Sequence, residues 1–195
     1  ALIAAVSLGQ SAIYAIVRLV DITTRGPISD AQAKLNTSES VRPFFDLVYQ
    51  LLGIGFAVVP VVFALWLMNR DRDTAPSTPS LRARMGWPGS SRDWLVQVLW
   101  GVGLFVVIGV GTLGVYFLGR TLGITAEIKP SNLGAYWWTV PVLILHAIKN
   151  GVLEEILLLG YATDRLQKMR VGPWVAIISL ALFRGSYHLY QGIGP

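Results

Sequence analysis

Two adjacent carboxylates, Glu154 and Glu155, stand inside a long apolar stretch of the sequence. A charge at the centre of a membrane segment costs on the order of 3 kcal/mol, so the pair needs a functional or structural reason. Beside a like charge in a medium of low dielectric constant, a carboxylate binds protons more readily, and the two groups titrate as a unit. One carboxylate is then suited to take a proton from water, which is the first step of general-base hydrolysis.

An imidazole and a guanidinium are expected at the same depth as the carboxylates. If the stretches on either side of residues 171–173 form an antiparallel helical pair, Glu154 and His188 lie level, because each is equally far along the chain from Val171. Arg184 precedes His188 by four residues and would share its helix face. An imidazole within hydrogen-bond range can hold the attacking water and pass a proton to the leaving amine. Glu154, Glu155 and His188, supported by Arg184, therefore form the candidate site.

Two other interpretations of this cluster remain open. Glu154, Glu155 and His188 would also be plausible zinc ligands, although only one His is placed for such a site. A buried network that pairs the carboxylates with Lys149, Arg165 or Arg184 would instead be structural. Other hydrolase chemistries are excluded, since the chain has no Cys, no H-E-x-x-H sequence and no Asp within an apolar stretch. Ser186 and His188 would lie about 200° apart around one helix and so could not form a nucleophile–base pair.

Composition places these residues in a membrane protein. The 195 residues are 53% hydrophobic and only 14% charged, with a mean hydropathy of +0.56, which is far more apolar than a soluble domain. Because a membrane helix needs about 20 apolar residues, the apolar stretches predict five spans, at about 1–20, 44–69, 94–119, 133–164 and 172–192. The predicted fold is all-α, a polytopic transmembrane helical bundle that forms a single membrane domain over residues 1–195. The missing initiator Met and the apolar final stretch predict a piece of a longer protein, truncated at its C-terminus.

Basic residues between the spans predict the orientation of the chain. The net charge is +5, and Lys and Arg concentrate in the loops at 70–92 and 165–170 rather than in those at 21–43 and 120–132. By the positive-inside rule the two basic loops, and hence the N-terminus, are cytoplasmic. The basic residues therefore indicate an anionic membrane surface as partner, and not a nucleic acid.

Three sequence motifs resemble those of a known peptidase family. They are E-E at 154–155, G-Y at 160–161 and F-R-G-S-Y-H-L-Y-Q-G at 183–192. This pattern resembles the CPBP family of intramembrane metalloproteases, the CAAX-protease and bacteriocin-processing group also called Abi or CAAX prenyl protease 2-like. The resemblance covers residues 137–195 and is incomplete, because the family's E-E-x-x-x-R, F-x-x-x-H and later H-x-x-x-N motifs are not all present. Leu159 stands at the position of the family's Arg, and we expect Arg184 to replace that guanidinium from the facing helix.

The resemblance implies an intramembrane endopeptidase that hydrolyses a peptide bond of a membrane-associated substrate. Glu154 would be the base that activates water, Glu155 its neighbour and His188 the partner of the water. The family name points to a divalent metal such as zinc, which a glutamate–water mechanism does not require, so the cofactor stays open. Expected partners are a peptide or protein substrate and the lipid bilayer, in a bacterial inner membrane. The alternative is a non-catalytic membrane protein, a proton-coupled carrier or an immunity or scaffold protein, that uses the Glu pair structurally.

Overall fold

Helices account for most of the chain in the computed structural model, which describes residues 9–74 and 77–192. The α-helices are α1 Gln10–Arg25, α2 Pro43–Thr74, α3 Leu81–Arg84, α4 Ser91–Thr121, α5 Thr139–Leu153, α6 Thr163–Lys168 and α7 Pro173–Ser186. A π-helix, Glu154–Ala162, joins α5 to α6, and short 3-10 helices occupy Ile28–Asp30 and Leu189–Gln191. Two strands, β1 Gln32–Asn36 and β2 Glu127–Ser131, complete the described elements.

Two of these helices are long and apolar enough to cross a membrane. They contain the candidate spans Pro43–Asp71, of 29 residues, and Ser91–Thr121, of 31 residues, where about 20 suffice. Apolar side chains of α4 are exposed around the whole helix, and none of its most apolar window is buried within the protein. Such a surface suits contact with lipid, since acyl chains rather than water then cover it.

The predicted set of five spans is only partly reproduced. The spans at 44–69 and 94–119 correspond to α2 and α4, whereas residues 1–8 of the first predicted span lie outside the described residues. The fourth predicted span, 133–164, corresponds to a helical path that begins only at Thr139, changes its winding at Glu154 and is not among the candidate membrane spans of the described residues. The fifth, 172–192, is wrong at its end, because α7 stops at Ser186. There the Ser186 hydroxyl donates to the Phe183 carbonyl at 2.6 Å, and the chain turns.

A small parallel sheet joins the two loops predicted at 21–43 and 120–132. β1 pairs with β2, with Gln32 opposite Glu127 and Asn36 opposite Ser131. A parallel pair needs a long crossover, which here runs through α2, α3 and α4. Because the crossover contains two long helices, it returns the chain to the end from which it left. The sheet thus holds the two loops together at one end of the helices.

Charged side chains join the loops at the other end. Arg84 of α3 contacts Asp71 at 3.0 Å and also pairs with Asp164, while Arg165 and Lys168 pair with Asp71. Burial opposes the charge of Arg84, but hydrogen bonds to Asp164 and Asp71 outweigh that effect and raise the pKa of Arg84 above its ordinary value. The two basic loops predicted from the sequence therefore meet at one end of the protein.

An apolar core fixes the π-helix against α2. It consists of Val61, Ala64 and Met68 from α2 with Leu157, Leu158 and Tyr161 from the π-helix. Gly160 allows a close approach of α3, because a Cβ atom at this position would lie 2.9 Å from both the sulfur and the methyl carbon of Met85. Packing on both sides thus sets the rotation of the π-helix, and with it the direction of the side chain at its first residue, Glu154.

Candidate functional site

The two carboxylates of the Glu pair occupy different environments. Glu154 is the first residue of the π-helix, and its side chain is 18% exposed. Glu155 is exposed. Successive side chains of a helix point in directions roughly 100° apart, so one member of an adjacent pair can face the neighbouring helix while the other does not. Only Glu154 is positioned to act together with α7 and the residues that follow it.

Arg184 binds Glu154 from the facing helix. It lies in the last turn of α7, and its Nη2 atom is 2.6 Å from Glu154 Oε2. This is the direction expected if Arg184 stands in for a guanidinium missing at position 159. Leu159 itself, with Leu158 and Leu180, lines an apolar cavity of about 420 Å³ that borders Arg184. A guanidinium therefore reaches the carboxylate from α7 and not from its own helix.

His188 approaches the other oxygen of the same carboxylate. Its Nε2 atom is 3.8 Å from Glu154 Oε1, which is too long for a direct hydrogen bond but suits one water that bonds both atoms at about 2.8 Å. The two side chains lie within the 8 Å or so expected for groups that share a bridging water. The expected shared helix face with Arg184 is wrong, because His188 follows the end of α7 in a turn, where its N–H donates to the Gly185 carbonyl at 3.0 Å.

Tyr187 is part of the site, although the sequence analysis did not select it. Its side chain is 8% exposed, and its ring contacts Phe183 edge-on and lies 4.9 Å, centroid to centroid, from the His188 ring. The hydroxyl interacts electrostatically with Glu154 and Arg184, yet has no hydrogen-bond partner of acceptable geometry among the described residues. The signal available in the sequence was a phenol directly before the candidate His.

A large cavity reaches the site from the side of α1. Its volume is about 1110 Å³, and its walls come from α1, the segment that leads into β1, and the side chains of Tyr187 and Tyr190. Arg18 and Asp21 of α1 contribute charges, and Tyr14 contributes apolar surface. Tyr187 is the side chain that lines this cavity and also interacts electrostatically with Glu154.

The three side chains considered as a zinc set do not come together. Glu154 and His188 converge, but Glu155 is exposed, and residues 9–74 and 77–192 contain no group of three His, Cys, Asp or Glu side chains arranged to hold a metal. A catalytic zinc usually takes three protein ligands and a water. Arg184 also brings a positive charge to the same carboxylate, which disfavours a cation there. The described residues do not fit a metal, so the chemistry derived below uses side chains alone.

The second His of the chain lies in a separate network. His146 Nε2 is 2.8 Å from Gln50 Oε1, and the Gln50 amide donates in turn to the Thr37 carbonyl at 2.9 Å. The H-x-x-x-N sequence at 146–150 precedes the Glu pair, in the wrong order for the later family motif. These contacts give His146 a role in joining α5 to α2 and to the loop before α2.

If the cluster hydrolyses peptides, as the resemblance implies, Arg184 should affect the rate by holding Glu154 Oε2, so that Oε1 is left to face His188. We expect Arg184→Gln to lower kcat of peptide cleavage about 10- to 100-fold, and Arg184→Lys to recover part of the loss because the charge is kept without the planar guanidinium. Arg92→Gln, at an exposed position in the first turn of α4, is the matched control. The measurement is cleavage of a membrane-anchored reporter peptide in liposomes. Full activity of Arg184→Gln would contradict the positioning role.

Comparison with known proteins identifies the part of the chain that carries this site. Residues 136–195 match the family described as type II CAAX prenyl endopeptidase Rce1-like. The matched segment contains Glu154, Arg184 and His188, and it agrees with the resemblance to CAAX proteases found from the motifs of residues 137–195. No curated protein and no solved structure matches the chain.

Proposed function

We propose, from the family match of residues 136–195 and the geometry around Glu154, that the protein is an intramembrane endopeptidase. It hydrolyses a peptide bond of a membrane-associated substrate with water activated by Glu154 and His188. One observation carries the proposal: the two oxygens of a single carboxylate have separate partners, a guanidinium on Oε2 and an imidazole near Oε1. One oxygen is thus held in place, and the other is directed at the position of a shared water.

The reaction then proceeds by general-base catalysis. Glu154 Oε1 takes a proton from the water, the water oxygen forms a bond to the peptide carbonyl carbon, and the electron pair of the carbonyl double bond moves onto its oxygen. When the carbonyl double bond re-forms, the bond to the leaving nitrogen breaks. That nitrogen takes the proton held by Glu154, which His188 Nε2 relays. Glu154 and His188 return to their starting states.

The membrane arrangement is the second component of the proposal. The chain crosses the bilayer several times with its N-terminus in the cytoplasm, as a multi-pass protein of a bacterial inner membrane. Support comes from α2 and α4, and from the paired basic loops at one end of the helices opposite the sheet at the other. The positive-inside rule assigns the basic end to the cytoplasm. In this arrangement the Glu154 site lies in the membrane region of the protein. It is formed there by the helical path from Thr139 to Lys168 together with α7 and the turn that follows α7.

A non-catalytic role for the cluster is the competing proposal, and the Arg184–Glu154 ion pair favours it. An ion pair between two helices can hold them together without chemistry. In that case the protein would be a carrier or a scaffold, and the side chain of His188 would be dispensable. The two proposals differ in whether a bond is broken, which can be observed directly.

Incubation in isotopically labelled water tests the proposal. The full-length protein in liposomes is mixed with membrane-anchored peptides in water containing oxygen-18, and the products are analysed by mass spectrometry. Hydrolysis should place one labelled oxygen from water in each newly formed carboxyl group, because the water oxygen becomes part of the product. Peptides that stay intact with the wild-type protein would contradict the proposed function and favour the scaffold.

A further inference from the structure

The Tyr187 hydroxyl is a buried polar group without a hydrogen-bond partner of acceptable geometry among the described residues. A buried hydroxyl without a well-formed hydrogen bond loses its interaction with water and is only partly compensated by nearby charges, and a fully unsatisfied one costs about 1–3 kcal/mol. Phe would fill the same space without this cost. A Tyr at this position therefore calls for an explanation beyond packing.

The position of the hydroxyl supplies that explanation. Its ring is held between Phe183, at 6.1 Å between centroids, and His188, at 4.9 Å, so the phenol cannot swing freely. The hydroxyl interacts with Glu154, Glu155 and Arg184, and Tyr187 also lines the cavity of about 1110 Å³ beside α1. The same side chain thus lines this cavity and interacts with the carboxylate that would activate water.

We propose that Tyr187 is a further catalytic residue, whose hydroxyl donates a hydrogen bond to the carbonyl oxygen of the scissile peptide as that oxygen becomes negative. The proposal rests on the peptidase function and extends it. A water placed between Glu154 and His188 attacks a carbonyl carbon about 3 Å away, and the negative charge forms on the oxygen bound to that carbon. The Tyr187 hydroxyl, which interacts with Glu154 but forms no well-aligned hydrogen bond with a described residue, can donate to that oxygen. A donor fixed beside the reacting carbonyl stabilises such a charge without having to reorganise.

The donor role differs from those of Arg184 and His188. Arg184 is engaged with Glu154 Oε2, and His188 is required at Oε1 for the water and the leaving nitrogen. Among the side chains near Glu154 described here, Tyr187 therefore contributes a donor that the reaction has not otherwise used. In the resting protein the same hydroxyl interacts electrostatically with the Glu154 carboxylate, and this has a spectroscopic consequence independent of turnover.

The test uses Tyr187→Phe in the full-length protein, with Tyr116→Phe as control, since Tyr116 is half-buried near β2 and accepts from the Ile128 N–H. We expect kcat to fall about 10²- to 10³-fold, as on removal of one oxyanion donor, with KM changed less than about twofold. The thermal midpoint in detergent should be unchanged or higher, because the ring packing is kept and an unpaired hydroxyl is lost. An unchanged kcat, or a loss of activity that follows a loss of stability, would overturn the donor role.

An infrared measurement separates this inference from the proposed function. The carboxylate stretch of Glu154, identified by its disappearance in Glu154→Gln, should shift in Tyr187→Phe and stay in place in Tyr116→Phe. If the band does not move, the hydroxyl does not face Glu154, and the inference is wrong whatever the activity. If the wild-type protein cleaves nothing in labelled water, the peptidase function and the donor role both fail, while a shifted band would still place the phenol beside the carboxylate.

Discussion

Replacing Glu154 by Gln should abolish peptide cleavage while leaving the protein folded in the membrane. Gln has the shape of Glu but cannot accept a proton from water, so the chemical step fails. We expect kcat to fall at least about 10³-fold, equivalent to roughly 4 kcal/mol of transition-state stabilisation. The thermal midpoint should stay close to that of the wild type, because the Gln amide oxygen can still accept a hydrogen bond from the Arg184 guanidinium.

Two further variants make the Glu154 experiment specific. Glu127→Gln removes an exposed carboxylate of β2 whose partner is Gln32, and it should retain full activity. Glu154→Asp keeps the negative charge that pairs with Arg184, but its side chain is shorter by one methylene group. We therefore expect a loss of kcat smaller than that of Glu154→Gln. Cleavage of the reporter peptide is measured alongside the thermal midpoint in detergent. If Glu154→Gln is stable and cleaves normally, the glutamate-activated mechanism is wrong; if it loses stability and cleavage together, the ion pair is structural.

His188→Gln should lower kcat about 10²- to 10⁴-fold, the usual contribution of a positioned acid–base group. The amide can still hold a water near Glu154 Oε1, but it cannot carry a proton to the leaving nitrogen. Folding should be retained, since Arg184 remains paired with Glu154 Oε2 and the turn at 185–188 is closed by a backbone hydrogen bond. His188→Ala should show a similar loss of activity, because it removes the same proton carrier.

The chain provides a matched control for His188, since it contains only one other His. His146 bonds Gln50 in a network between α5 and α2, and His146→Gln should keep cleavage within about twofold. Rates are compared with the same reporter peptide in liposomes, at protein levels equalised by quantitative blotting. Equal activity of His188→Gln and the wild type would exclude His188 from proton transfer.

The convergence of Glu154, Arg184 and His188 was predictable because helical rise is constant. Residues equally far from a turn between two antiparallel helices lie at similar depth, and a charge in an apolar stretch is costly enough to need a partner. The observed contacts, 2.6 Å from Arg184 and 3.8 Å from His188, agree with that reasoning. The catalytic roles assigned to these residues stay proposals until the variants are measured.

The rotation of the side chains was not predictable in the same way. A sequence pattern shows two equivalent carboxylates, whereas the structure leaves Glu154 partly buried and Glu155 exposed. The choice depends on the start of the π-helix and on its packing against Met68 and Met85. The exit of His188 from α7 was missed for a related reason. The segment that follows His188 is held by two contacts with the loop before β2. The Ala126 N–H donates to the Gln191 carbonyl at 2.9 Å, and Thr125 pairs with Gly192. Gly192 has a φ of 115°, a value that glycine adopts more readily than other residues.

The sequence alone was enough to predict an apolar, mainly helical protein in which Glu154, Arg184 and His188 come together. These properties follow from local quantities: hydropathy along the chain, the rise of a helix and the cost of a charge in an apolar medium. Tertiary structure alone decided which carboxylate faces the partner helix, that the loops before α2 and after α4 form a parallel sheet, and that the Tyr187 hydroxyl lies beside Glu154. Those outcomes depend on contacts between segments far apart in sequence, such as the hydrogen bond from Gln32 to Glu127. The free energy of such a contact cannot be estimated from the sequence pattern of either segment alone.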